Sequence, residues 1–201
     1  MPIPKVLLFD LGGVLVDARG LRELPQLLAE PMAREDVRRK WVSSPAVERF
    51  ETGLCSREEF AAAFTREWGL SLEPDDFIVR FRSWVGAPYP GTGELLSALR
   101  GRHVLACLSN TNMVHWEKLL QMDGLRLVLE RPFVSHELGA MKPSPAVYAR
   151  VAQGLECEPG DIAFFDDGPE NVEGAAGAGL SAHLTIGPDH LRRILGDLGL
   201  L

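Results

Sequence analysis

Lys5 to Asp17 reads KVLLFDLGGVLVD, and this stretch limits the fold most tightly. Val6, Leu7, Leu8 and Phe9 form an unbroken apolar run that stops at a carboxylate, Asp10. A run this short, bounded by polar and glycine positions, suits a strand covered on both faces, as in a parallel sheet. Gly12 and Gly13 follow at once, where the chain needs a sharp turn or a close ligand. An Asp at the carboxyl end of such a strand sits where open α/β sheets bind their ligands.

The remaining chain fits that start. From Asp17 to about Trp84 the pattern is helical. Leu21, Leu24, Leu27 and Leu28 recur at helical spacing, and helices are expected over 33–41 and 46–51, the latter stopped by Gly53. Ser56 and Glu59 form a capping box ahead of Phe60, Phe64 and Trp68, and Pro74 opens a helix bearing Phe77, Phe81 and Trp84. No strand is expected within this segment, which reads as a small helical bundle inserted after the first strand. Turn formers at 86–91 mark the return. Helices and strands then alternate, with buried strands at 104–108 and 162–165, weaker ones at 133–134 and 182–186, and Ser144 and Pro145 opening a helix. The expected architecture is α/β: a Rossmann-like, doubly wound parallel sheet spanning 1–16 and 89–201, with a helical cap over 17–88.

Composition removes several classes of function. The net charge is −7 without a basic block, which speaks against nucleic acid and anionic membrane surfaces as partners. No apolar stretch reaches the roughly 18 residues of a membrane span, and the first ten residues lack the shape of a signal peptide. Three widely spaced cysteines read as reduced thiols rather than a disulfide frame, so a cytoplasmic location is expected. The chain is expected to act as a monomer or weak homodimer.

Three strong strands end in polar clusters: Asp10, Ser109-Asn110 and Asp166-Asp167. In a doubly wound sheet these ends share one edge, so one site can receive all three, with Lys142 from a loop. Facing carboxylates repel, and a hard cation such as Mg²⁺ relieves them while keeping waters and substrate phosphate oxygens. Ser109 and nearby backbone N–H groups can hold phosphoryl oxygens, and Lys142 can neutralise remaining charge. Asp10 is then free to attack phosphorus and form an aspartyl-phosphate. Each residue alone has a plainer reading. Asp166-Asp167 can be turn chemistry, Ser109-Asn110 a helix cap, Lys142 a solvated lysine, His115 a helix-surface histidine and Asp17 a linker residue.

The ordered set FDLGGVLVD, LSNTN, GAMKPSPAVY and FFDDGPENVEGA resembles the haloacid dehalogenase-like superfamily over essentially the whole chain. It is most similar to the small-cap branch holding sugar-1-phosphate phosphatases and the phosphatase domain of soluble epoxide hydrolase. The resemblance implies Asp10 as nucleophile and Mg²⁺ ligand, and the Gly12 carbonyl as a further ligand. It implies Ser109 and Asn110 as phosphoryl binders, and Lys142 as stabiliser of nucleophile and phosphoryl group. Asp167 becomes the second metal carboxylate, with Asp166 beside it and Asn171 in support. The substrate would be a small phosphorylated metabolite, such as a sugar phosphate. One departure stands out. Such phosphatases carry a second Asp, a general acid and base, where this chain has Gly12. A positioned acid contributes about 10²- to 10⁴-fold. Either the leaving group is good, or another group supplies the proton, with Asp17 and His115 as candidates. The same departure keeps open a metal-independent 2-haloacid dehalogenase and an inactive binding module. The Asp166-Asp167 pair, which asks for a cation, counts against both.

Overall fold

The computed structural model describes residues 3–201. Met1 and Pro2, included in the expected core segment, lie outside the described residues. Among the described residues there are seven strands: β1 (Val6–Phe9), β2 (Val16–Ala18), β3 (Val85–Pro88), β4 (Val104–Ser109), β5 (Pro132–Val134), β6 (Ile162–Asp166) and β7 (Ser181–Leu184). Five of them form one parallel sheet in the order β5-β4-β1-β6-β7. The α/β expectation therefore holds, and the motif strand is central. Val6 is level with Val104 on one side and Ile162 on the other. Asp10 and Ser109 thus emerge from adjoining strands at the same edge, with Asp166 ending the other neighbour.

Strand periodicity explains why all four residues of β1 are buried. Successive side chains point to opposite faces. Leu7 and Phe9 join Leu105, Cys107, Ala163 and Phe165 in one apolar core. Val6 and Leu8 join Ala106, Leu108, Ile162 and Phe164 in another, roofed by Val147, Tyr148 and Val151 of the Pro145–Gly154 helix.

The segment between β2 and β3 builds a third core of its own. Its helices are Arg34–Val42, Pro45–Glu51, Arg57–Trp68 and Pro74–Ser83. Phe50, Phe60, Phe64, Phe77 and Phe81 are fully buried within it. Phe50 and Phe60 stack at 4.2 Å. Burying each such ring is worth about 1.5–3 kcal/mol, which is what lets so small a bundle hold together. The capping box of Ser56 and Glu59 forms as the sequence predicts. Gly53 takes φ +73°, and Leu54 N–H reaches back to the Arg49 carbonyl, closing the preceding helix in a left-handed turn.

Two departures have simple causes. The leucine-patterned helix after Asp17 is broken into a single turn, Gly20–Glu23, and a 3₁₀ turn, Leu24–Leu27. Pro25 has no N–H to continue the α-helical ladder. The second is a strand pair where none is expected. β2 and β3 form an antiparallel ribbon, with Val16 opposite Pro88 and Ala18 opposite Val85. Arg19 N–H to the Trp84 carbonyl (2.7 Å) and Tyr89 N–H to the Leu15 carbonyl (2.9 Å) extend it. Its strands are too short, and too far apart in sequence, for local periodicity to register them.

Candidate active site

Asp10 stands just past β1, its backbone N–H tied to the Phe165 carbonyl at 2.9 Å. Lys142 meets it from the loop before the Pro145–Gly154 helix, with Nζ 2.9 Å from Asp10 Oδ1. The same ammonium donates to Asp166 Oδ2 at 2.5 Å and to the Leu108 carbonyl at 3.1 Å. Lys142 is buried, so burial alone would lower its pKa, but the charges of Asp10 and Asp166 hold it above the ordinary lysine value. It is a fixed cation rather than a base. Asp10 is pushed up to about 7, chiefly by burial and further by Asp166 and Asp167, with Lys142 opposing.

Asp166, expected beside the metal carboxylate with Asn171 in support, is held by several partners. Its Oδ2 takes the lysine, and its Oδ1 accepts from Gly168 N–H and Asn171 Nδ2, both at 2.8 Å. With both oxygens committed, this fully buried carboxylate anchors Lys142 and the turn carrying Asp167. Tyr148 supports the same turn, donating its hydroxyl to the Asn171 carbonyl at 2.8 Å. Asn110 departs from expectation as a phosphoryl binder. Its Oδ1 accepts from Lys142 N–H and its Nδ2 donates to the Lys142 carbonyl, each at 2.9 Å. A primary amide pairs with a backbone amide in this cyclic way, and here the pair fixes the lysine loop.

Asp10, Asp166 and Asp167 offer oxygens all within 4.8 Å of one another. Lys142 supplies one positive charge to three carboxylates, and it touches only two of them. Asp167 is exposed, and burial of its flank together with Asp166 raises its pKa. Gly13, at φ +76°, lies so close that a Cβ there would come 2.1 Å from Asp167 Oδ2. Backbone is thus packed against a carboxylate lacking a cationic partner among the described residues. That donor set fits a hard divalent cation held by Asp10 and Asp167, with Gly12 on the same wall.

A cavity of about 500 Å³ opens over this edge. Its floor holds Gly12, Gly13, Ser109, Asn110 and Asp167, and its upper wall carries Leu21, Arg34, Arg38, Trp41 and Trp84. Ser109, buried at the end of β4, is part of that floor. Thr111 is locked behind it through Ser135, whose Oγ accepts from Thr111 N–H and donates to the Thr111 carbonyl. Arg38 of the cap pairs with Glu170 of the core across the mouth. Gly53 packs on the His136 carbonyl so tightly that a Cβ would come within 2.3 Å of its oxygen.

Neither expected substitute for the missing acid is placed for the work. Asp17 is pinned by Arg19 Nε at 2.8 Å and Arg22 Nη2 at 2.6 Å. Its bond to Arg19, above all, keeps it below the ordinary carboxylate value. His115 is half-buried rather than a surface residue. Its Nε2 donates to the Phe81 carbonyl at 2.7 Å, and its Nδ1 lies 3.3 Å from Asn112 Nδ2. Burial pushes it down to about 4, so it is neutral and has no free proton to give.

Sequence reasoning missed Glu51, which lines the cavity from the end of the Pro45–Glu51 helix. A signal existed. Val47, Phe50 and Glu51 share the buried face of that helix, so a carboxylate occupies an apolar position.

With this geometry in place, the comparisons are direct. Residues 4–179 match the family of haloacid dehalogenase-like hydrolases, and the chain belongs to that family. Flavin mononucleotide hydrolase 1 of Arabidopsis thaliana is 30% identical over 97% of this chain and 78% of its own. Phosphatase MT3486 of Mycobacterium tuberculosis (strain CDC 1551 / Oshkosh) is 28% identical over 90% and 86%. A Bacteroides thetaiotaomicron enzyme of the same family, bt-2542, solved with magnesium and inorganic phosphate, superposes with a TM-score of 0.72 at 24% identity. That match covers 90% of this chain and 93% of the other. The protein is a hydrolase, and its curated relatives include named phosphatases.

Proposed function

We propose that this hydrolase is a Mg²⁺-dependent phosphatase of small phosphorylated metabolites, working through an aspartyl-phosphate on Asp10. The observation that carries this reading is the Asp10–Lys142–Asp166 chain beside a third carboxylate, Asp167, with no cationic partner among the described residues. A bound divalent cation would neutralise charge on the phosphoryl oxygens and on Asp10. Lys142 holds Asp10 in line and balances part of the charge that builds on the phosphoryl group. Ser109 contributes a hydroxyl donor to that group. The cap roofs the cavity and excludes bulk water from the acyl phosphate until the leaving group has gone.

Substrate choice belongs to the upper wall. Trp41, Trp84 and Leu21 present apolar surface there, and Arg34 and Arg38 present cations. Sugar phosphates and flavin mononucleotide, the latter the substrate in one relative's name, are therefore the natural test compounds. The experiment is phosphate release from sugar, alkyl, aryl and flavin phosphates, with Mg²⁺ or with EDTA, for wild type and Asp10→Asn. Release that requires Mg²⁺ and disappears in Asp10→Asn is expected. No phosphate from any compound, with chloride released from 2-chloropropionate, would replace this reading by a dehalogenase.

A further inference from the structure

The motif loop cannot supply the general acid. Position 12 is glycine, and a Cβ built there would lie 3.3 Å from the Ala18 Cβ, so β2 already fills that side. Asp17, near the cavity, is committed to two arginines, and Glu170 and His115, on its wall, to Arg38 and to Phe81 and Asn112, while Asp167 is reserved for the cation. Tyr89 is a phenol raised by burial above its ordinary value near 10, a poor match to neutral pH.

Glu51 differs from all of these. Its residue is 7% exposed, and its carboxyl group has no hydrogen-bond or ion-pair partner among the described residues. It sits at the carbonyl end of its helix, where the backbone disfavours negative charge. A buried acid, unpaired, at the wrong helix end has no use in holding a fold together. It does line the cavity that contains Gly12, Ser109 and Asp167. It also lines the adjoining hollow that contains Lys142 and Asn110. Glu51 therefore stands on the cap side of the place where a phosphoryl group would rest between Asp10, Lys142 and Ser109.

We infer that Glu51 is the catalytic acid and base of this chain, lent to the core by the cap in place of the residue missing at position 12. The assignment rests on the phosphatase reading above. In the first step an Asp10 carboxylate oxygen bonds to phosphorus. The bond from phosphorus to the ester oxygen breaks, its electron pair goes to that oxygen, and Glu51 gives the oxygen its proton. In the second step the Glu51 carboxylate takes a proton from water as the water oxygen bonds to phosphorus. The phosphorus–Asp10 bond breaks, its electrons return to the carboxylate, and phosphate leaves with Glu51 reprotonated. Protonation at rest agrees with the environment. Burial pushes Glu51 up to about 7, with Asp10 adding and Lys142 opposing, so the group can serve in both directions near neutral pH. Because the acid arrives with the cap, proton transfer is confined to the closed enzyme.

The test is the leaving-group dependence of kcat/KM in Glu51→Gln, which keeps the shape and removes the proton. A nitrophenyl leaving group needs little protonation, whereas an alkoxide needs it fully. Glu51→Gln is expected to lose about 10²- to 10⁴-fold on alkyl phosphates. The loss on nitrophenyl phosphate should be at least ten-fold smaller, and the aspartyl-phosphate should build up during its turnover. Equal losses on both esters, or none on either, would overturn the assignment while leaving the phosphatase reading intact. Failure of wild type to release phosphate would remove both. If Glu51→Gln does not fold, Glu51→Asp, which withdraws the carboxyl by one methylene, must show the same graded loss, and an ungraded one overturns the inference.

Discussion

Replacing Lys142 by Met asks what the central cation does for the fold, apart from chemistry. The side chain keeps its length and loses its charge. In the wild type Nζ lies 2.9 Å from Asp10 Oδ1 and 2.5 Å from Asp166 Oδ2, and all three residues are buried. Removing one partner of such a cluster leaves carboxylates that water cannot reach, at a cost of about 3–5 kcal/mol. In a chain of this size 1 kcal/mol moves Tm by roughly 2–4 °C, so a fall of roughly 6–20 °C is expected. The pH dependence carries the sharper signature. Asp10 in the wild type is already above its ordinary value, and without the lysine it rises further. An acid whose folded pKa is raised favours the folded state at low pH and loses that contribution as pH rises. The stability gap between variant and wild type should therefore narrow as pH falls from 8 towards 5. Denaturant unfolding across that range, in EDTA, measures it. A gap under about 1 kcal/mol, or one that does not change with pH, would refute the claim that Lys142 compensates buried charge.

Two further outcomes follow from single contacts. His115 is held at about 4 against an ordinary 6.5, so it stabilises the fold fully above 6.5 and ceases to do so as pH falls through 4. The difference amounts to roughly 3–4 kcal/mol. Stability of wild type should rise between pH 4 and 6.5 more steeply than that of His115→Gln, and parallel curves would sink the idea. Gly13→Ala places a Cβ 2.1 Å from Asp167 Oδ2 in a backbone at φ +76°. It should destabilise the fold by at least about 1–3 kcal/mol and, on the proposed reading, raise the Mg²⁺ concentration needed for activity, as thermal unfolding and a Mg²⁺ titration would show.

Where the sequence was legible, it was so through strong local periodicity. The run 6–9 ending in Asp10 carries strand, burial and site together, because a doubly wound sheet brings strand ends to one edge. The capping box at Ser56 and Glu59 and the stop at Gly53 are read from residues adjacent in sequence. Features set by distant partners were hidden. Val16–Ala18 becomes a strand only because Val85–Pro88 lies beside it. Asn110 looks like a ligand residue until its amide is seen closing on the Lys142 backbone, 32 positions away. His115 reads as a surface residue because the Phe81 carbonyl that accepts its proton belongs to the cap. Glu51 was the most informative omission, since its neighbours on the helix already marked its face as buried.

The place of β1 sets how the enzyme can open. Its four residues are hydrogen-bonded on both sides, and their side chains enter two separate cores. Each backbone amide beside Asp10 exchanges with solvent only when the neighbouring strand that accepts its hydrogen parts, and both neighbours are interior to the sheet. The helical segment between β2 and β3 shares its apolar cluster with Val114 and meets the rest of the chain through the two-stranded ribbon, the His115–Phe81 and Gly53–His136 contacts and the Arg38–Glu170 pair. Breaking these local contacts frees the segment without parting the strands of the sheet. Asp10, the proposed nucleophile, is thus fixed to the central strand, while Glu51 sits in the segment outside the sheet. Heat or mild denaturant should consequently separate Glu51 from Asp10 before the sheet itself gives way.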